Sequence, residues 1–155
     1  MDADGIQEGL SGAEKAALKE RATEIRADKK AGKTTTKATA AAKAHLEKIA
    51  EMSPKDRAIA ERIHALAAEH APALHTRAWY GMPAWTLDGK VVFFYTSAAK
   101  WGTRYATLGF DEAAQLDDGE MWATAFAIVS LTPDVEARII ELITRSVGAV
   151  GSETT

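Results

Sequence analysis

The chain contains no cysteine. This absence excludes disulfide bonds, thiol nucleophiles and cysteine-ligated zinc or iron–sulfur centres. No run of apolar residues approaches the length of a membrane-spanning helix, and the opening residues, MDADGIQEGL, lack the basic and apolar regions of a secretion signal. We therefore expect a soluble cytoplasmic protein that makes no contact with a membrane.

Motifs of known catalytic centres are also missing from the sequence. It contains no G-x-S-x-G, no H-E-x-x-H and no glycine-rich phosphate loop, which favours a protein that is not an enzyme. The net charge of −3 has no strong sign, and basic and acidic residues are interspersed along the chain. Because nucleic-acid-binding proteins usually carry a clustered basic face, we expect no nucleic-acid partner.

The first third of the chain differs in composition from the rest. Residues 11–52 are rich in Ala, Lys and Glu and contain no aromatic residue. Ser11 with Glu14 forms a capping box that predicts a helix to about residue 30, and a second helix is predicted to end near residue 52. The apolar stripes of both helices are thin, so we expect residues 1–52 to form a helical extension that is docked lightly or mobile.

The remaining 103 residues have the pattern of one α+β domain over residues 53–150, followed by a disordered tail at 151–155. Ser53-Pro54 and Thr132-Pro133 each pair an N-cap residue with a proline at the first helical position, which predicts a helix at either end. Between these helices lie about five predicted strands, at 75–80, 84–87, 91–97, 104–110 and 121–129. Short connections favour antiparallel neighbours. The predicted fold is a two-layer sandwich in which both helices cover one face of an antiparallel sheet.

The segment AWYGMPAW, residues 78–85, gathers large rings around a glycine and a proline. Gly81 and Pro83 predict an irregular turn at 81–83, and strand alternation then places Trp79 and Tyr80 on opposite faces of the sheet. One ring would belong to the core, and the other would border a cleft that could hold a small anionic or planar ligand or a partner protein. The candidate ligand-binding residues are Trp79, Tyr80, Met82, Trp85, Trp101, Arg104 and Tyr105. The alternative is that these rings pack together as a second small core under the extension.

Several blocks of sequence, in order, resemble the YdhG-like domain family. They are WYGMPAW, DGKVVFFY, RYATLGFDEAAQLDDGEMW and LTPDVEARIIELITRSV, and together they extend over roughly residues 53–148. Some members of that family are regarded as frataxin-like iron chaperones. The resemblance therefore implies a frataxin-like α+β sandwich and a role in holding iron, although a shared fold does not by itself transfer a function.

Five carboxylates within ten residues give the iron hypothesis a basis in the sequence; they are Asp111, Glu112, Asp117, Asp118 and Glu120. Iron and other hard cations take carboxylate oxygens as ligands, and a loose acidic patch suits weak, releasable binding. The alternative is a solvated connector whose acids cap a turn. The helix over 54–71 carries mixed charge, which differs from the acidic first helix of frataxins.

The histidines are expected to be structural. His64 and His70 are six residues apart and so lie on different sides of one helix, where they cannot share a metal ion. His45 is expected to be exposed on the extension. The leading prediction is then a small binding protein, monomeric or weakly dimeric, that holds iron weakly through surface carboxylates for an iron-accepting protein. The alternative prediction is a metal-free ligand-binding or protein-interaction module that uses the aromatic cleft.

Overall fold

The computed structural model describes residues 15–21 and 34–148. The predicted capping box at Ser11 and the predicted tail at 151–155 lie outside these residues. The helices are α1 (15–21), α2 (Thr34–Ala50), α3 (Pro54–His70), α4 (Ala98–Trp101) and α5 (Pro133–Ser146). The strands are β1 (His75–Trp79), β2 (Met82–Leu87), β3 (Lys90–Thr96), β4 (Ala106–Phe110) and β5 (Ala125–Ile128).

The strands form one sheet in chain order, β1-β2-β3-β4-β5, and every neighbouring pair is antiparallel. Trp85 pairs with Phe93 but Thr86 pairs with Val91, so Val92 is an extra residue in β3. This bulge lets Val92 and Phe93 both enter the core, where each is buried. The predicted α+β sandwich with a five-stranded antiparallel sheet is confirmed.

The core lies between the sheet and the helices α3 and α5, which pack against each other. Apart from the adjacent pair Val92 and Phe93 at the bulge, its members alternate along the strands, and they recur at helical spacing along α3 and α5. The largest contributions from the sheet and the two helices come from Trp85, Phe93, Tyr95, Leu108, Ile63, Leu66 and Ile143. Each such side chain stabilises the fold by roughly 1.5–3 kcal/mol through the apolar area that it removes from water.

The helix α2 belongs to the same packed structure, because it lies against β1 and β2. His45 is fully buried and Ile49 is a member of the core cluster, whereas Leu46 is half exposed. The prediction that His45 is exposed is wrong, since α2 turns the His45 ring edge-on toward Trp85, with 4.7 Å between ring centroids. The boundary at Ser53 stays a prediction.

The two proline-initiated helices begin where the sequence predicts but are capped differently. Thr132 Oγ1 accepts a hydrogen bond from the backbone N–H of Val135 at 3.2 Å, as an N-cap residue usually does. The Ser53 hydroxyl instead donates to Asp56 Oδ2 at 3.0 Å. The Asp56 side chain is buried. Its Oδ2 also reaches the backbone N–H of Ala99, in the segment that follows β3.

Candidate functional site

The turn between β1 and β2 is formed by Tyr80 and Gly81, which both have positive φ, 53° and 78°. Two consecutive residues in the left-handed backbone conformation make the tight hairpin turn that fits the twist of paired strands. Met82 and Pro83 already belong to β2. The turn predicted at 81–83 is therefore displaced by one residue, because the register of the hairpin makes Trp79 and Met82 the last cross-strand pair.

The prediction that strand alternation separates Trp79 from Tyr80 is wrong. Tyr80 lies in the turn and not in an extended strand, and its ring meets that of Trp79 edge-on at 5.1 Å. Trp79 also contacts the ring of Phe94 at 5.3 Å. Phe94 pairs with Ala84 next to the core pair of Phe93, so alternation places it on the sheet face away from the core. We call Trp79, Tyr80 and Phe94 the outer ring cluster.

Trp85 is one of the predicted ligand-binding residues, but it lies in the core and not at a cleft. It is 1% exposed and stacks on Phe93 with 4.7 Å between ring centroids. A ring in this position holds the two layers together and is not accessible to a ligand.

A cationic group lies directly beside the hairpin turn. Lys100 Nζ donates to the Gly81 carbonyl at 3.1 Å and to both carboxylate oxygens of Glu20, each at 3.1 Å. Lys48 Nζ, from the end of α2, lies 3.3 Å from Glu20 Oε2. Two ammonium groups from distant parts of the chain thus hold one carboxylate from α1. We call Lys48, Tyr80, Gly81, Lys100 and Trp101 the turn corner.

Gly81 forms the floor on which the Glu20 carboxylate rests. A Cβ atom at this position would overlap the Glu20 carboxylate and lie 2.6 Å from Lys100 Nζ. Glycine is required here twice, for the left-handed backbone and for the close approach of the charged groups. The corner is therefore shaped to bring a carboxylate against bare backbone.

Asp56 positions the short helix that carries Lys100 and Trp101. Its Oδ2 accepts from the Ala99 backbone N–H at 2.9 Å, while its own carbonyl accepts from the Tyr95 hydroxyl at 3.1 Å. Burial, followed by the charge of Asp56, raises the pKa of Tyr95, so this hydroxyl remains a donor. The buried Asp56 thus ties the start of α4 to α3 through its carboxylate and ties β3 to α3 through its backbone carbonyl.

Trp101 contributes a ring and an indole N–H to the same region. Lys100 Nζ lies 5.9 Å from the centroid of its ring. The indole Nε1 is buried and has no hydrogen-bond partner among the described residues. A buried donor of this kind is uncommon and usually meets water or a ligand acceptor.

The other predicted ligand-binding residues lie elsewhere or act locally. Met82 Sδ accepts from Thr96 Oγ1 at 3.1 Å on the outer face. The Arg104 guanidinium lies over the Tyr105 ring at 5.1 Å, in the loop after α4. Within the described residues, the hydrogen bonds, ion pairs and ring contacts of the turn corner involve neither Met82, Arg104 nor Tyr105. They do not involve Trp85 either.

A second polar cluster lies inside the fold, between α2 and α3. His45 Nδ1 is 3.3 Å from the Arg77 carbonyl, and His45 Nε2 is 3.1 Å from His64 Nδ1. The carbonyl requires the proton on His45 Nδ1, so His64 Nδ1–H must donate to His45 Nε2. Burial, and then the charge of His64, lowers the pKa of His45 to about 4, and burial lowers the pKa of His64.

The acidic residues predicted to bind iron all lie exposed in the connector between β4 and β5; they are Asp111, Glu112, Asp117, Asp118 and Glu120. A concave surface of about 390 Å³ beside them is lined in part by Asp111, Asp117 and Trp122. Across residues 15–21 and 34–148, no group of three or more His, Cys, Asp or Glu side chains is arranged to hold a metal ion. Weak iron binding by this connector stays a prediction.

Comparison of the chain with protein-family models, curated proteins and solved structures gives no match. The resemblance to the YdhG-like domain family stays a prediction, since no comparison identifies a family. In the part of the chain that the structure describes, every helix is too short or too polar to cross a bilayer.

Proposed function

We propose that the protein is a cytoplasmic, metal-free binding module that recognises a carboxylate at the turn corner. The observation that carries this proposal is the Glu20 carboxylate, held between Lys48 and Lys100 on the backbone of Gly81. The corner thus already presents the donors, the positive charge and the close approach that an anionic group of a ligand would need.

The electrostatic environment supports binding of an anion. The Glu20 side chain is 24% exposed, so its contacts with the two ammonium groups are only partly screened by water. Without Glu20, the Lys48 and Lys100 ammonium groups would lose the carboxylate between them, and Lys48 would keep its exposed partner Glu51 at 3.6 Å. Such an arrangement favours an incoming carboxylate over a neutral or cationic group.

The outer ring cluster favours a ligand whose carboxylate is attached to a planar or apolar group. Tyr80 is 39% exposed and holds a left-handed backbone conformation that costs a non-glycine residue free energy. A tyrosine in this costly conformation beside a binding surface suggests that its ring contacts the ligand. Trp101 adds a buried indole N–H that could donate to a second oxygen of the ligand.

The proposal is tested with benzoate, a planar carboxylate, and with the full-length Glu20→Gln variant, which removes the internal anion. We expect benzoate to shift the amide resonances of Gly81 and Lys100 with saturation, at least about tenfold more tightly in this variant than in the wild type. Adding Lys100→Met should abolish the shifts, whereas adding Lys90→Met, at the opposite hairpin, should leave them unchanged.

Benzamide is the matched neutral probe, because it has the same ring without the negative charge. Saturable benzoate binding that benzamide does not reproduce is the expected result. Equal binding of the two probes, or benzoate binding that survives Lys100→Met, would overturn carboxylate recognition at the turn corner.

A further inference from the structure

The group that occupies the turn corner comes from a helix, and three of its residues face the site. Ala17 is buried, Glu20 meets the two lysines, and the Arg21 guanidinium lies 5.5 Å from the centroid of the Tyr80 ring. Spacings of three and four residues place these side chains on one helical face. The occupied corner therefore displays a complete recognition pattern and not a single ion pair.

We propose that the turn corner binds a helix of a partner protein that carries a small residue followed three positions later by glutamate, and that α1 is its intramolecular competitor. This inference rests on the proposed function, since the partner's glutamate would take the place of Glu20. The small residue would let the partner backbone approach as closely as α1 does at Ala17. Helix docking by side chains three and four positions apart is a common mode of peptide recognition.

The attachment of α1 differs from that of the three longer helices, α2, α3 and α5, in a way that suits exchange. Within the described residues, the core cluster draws on α2, α3 and α5 but contains no residue of α1. The contacts of α1 with the domain include the polar contacts of Glu20, the ring contact of Arg21 and the burial of Ala17. Displacing α1 would therefore leave the sandwich and its core intact.

Mass action determines how such a competitor behaves. A partner in solution can bind only the fraction of molecules in which α1 has left the corner, so its apparent affinity is reduced by that fraction. A tethered helix competes at a high effective concentration, because residues 22–33 link it to α2. Weakening α1 at Glu20 alone should raise the affinity for a partner helix without altering the receiving surface.

The probe is a fluorescein-labelled peptide of residues 11–33, SGAEKAALKERATEIRADKKAGK, titrated against full-length protein by fluorescence anisotropy. We expect the Glu20→Gln protein to bind it at least about tenfold more tightly than the wild type does. Adding Lys100→Met to that protein should reduce the affinity by a similar factor, and adding Lys90→Met should not. The peptide with Glu20→Gln or Ala17→Phe should bind at least about tenfold more weakly than the native peptide.

The outcomes separate this inference from the proposed function. Binding of benzoate but not of the peptide by Glu20→Gln protein would overturn the partner helix and leave carboxylate recognition standing. Binding of the peptide irrespective of its own glutamate would overturn the recognition pattern. Failure of both probes would overturn the inference and the proposed function together. Equal peptide binding by wild-type and Glu20→Gln protein would overturn the role of α1 as competitor.

Discussion

At the scale of single residues, glycine has different roles in the two hairpin turns. Gly81 and Gly89 have nearly equal φ angles, 78° and 80°. A Cβ atom at Gly89 would meet nothing within 4 Å, whereas one at Gly81 would overlap the Glu20 carboxylate. The two positions therefore share the same backbone requirement and differ in what approaches them.

Gly81→Ala and Gly89→Ala turn this difference into a measurement. Each should lower the free energy of unfolding by roughly 1–2 kcal/mol, since alanine is strained in the left-handed region. Gly81→Ala should in addition expel Glu20, which a chemical shift change at Lys100 would report. Denaturant midpoints and amide spectra of both variants provide the test, and identical spectra at Lys100 would contradict the close approach.

Substitutions at two rings of AWYGMPAW, Trp85 and Tyr80, should separate an effect on stability from an effect on binding. Trp85→Ala should lower the free energy of unfolding by roughly 3–5 kcal/mol, because it empties a core position. Tyr80→Asn places an Asn-Gly pair in the turn, which suits its positive φ angles, so stability should remain within about 1 kcal/mol of the wild type. Combined with Glu20→Gln, the Tyr80 change should still weaken benzoate binding.

Denaturant unfolding with a parallel benzoate titration tests both ring substitutions. A Tyr80→Asn protein that unfolds as readily as Trp85→Ala would show that Tyr80 is a core residue. Such a result would remove the outer ring cluster from the binding surface.

At the scale of elements, most helices and strands can be predicted from local pattern. Proline after Ser53 and Thr132 sets two helix starts, and the turn residues at 88–90 set one hairpin. The buried side of α2 could not be predicted, because it depends on a contact with Trp85, 40 residues away. A polar ring is placed in the interior only when its nitrogens find partners, and the sequence does not show that Arg77 and His64 provide them.

The docking of α2 should therefore depend on pH. The pKa of His45 falls from 6.5 in the unfolded chain to about 4 in the fold, so the folded form binds fewer protons between these values. Stability from this group is complete above pH 6.5 and is lost as the pH falls toward 4, by about 3 kcal/mol in total. We expect unfolding free energies of the wild type to decline over this window more steeply than those of His45→Leu.

His75→Ala is the matched control for this comparison, because His75 is exposed in β1. Its stability should follow the wild-type pH dependence. If His45→Leu and the wild type lose stability in parallel between pH 6.5 and 4, His45 does not remain neutral in the fold and the cause assigned to its pKa is wrong.

At the scale of the whole molecule, the sheet could be predicted but the turn corner could not. Each strand pair joins neighbours in sequence, so alternation and turn signals are sufficient to order the strands. The corner instead joins Glu20 to Lys100, 80 residues apart, through charged side chains that also occur throughout the solvated surface. No local sequence pattern distinguishes Lys48 and Lys100 from the other lysines. Trp101 and the turn at Gly81 do indicate the correct end of the sheet.

The two functional predictions use opposite ends of the molecule. The strand β4 runs away from the turn corner, so the acidic connector after Phe110 lies at the far end of the sheet. Iron binding would therefore shift the amide resonances of Asp117 and Asp118 without shifting that of Lys100. Carboxylate binding at the turn corner would shift the Lys100 resonance and leave the other two unchanged. This distance makes each site an internal control for the other.

Anaerobic calorimetric titration of the metal-free protein with Fe(II) completes the comparison. If the connector is a solvated loop, Asp117→Asn with Asp118→Asn should leave both the Fe(II) isotherm and benzoate binding by Glu20→Gln protein unchanged. Carboxylates that bind a hard cation act through their charge, so the amide substitutions would weaken a true iron site without altering its shape. Saturable Fe(II) uptake by the wild type that the double variant loses would establish the iron function and contradict a metal-free module.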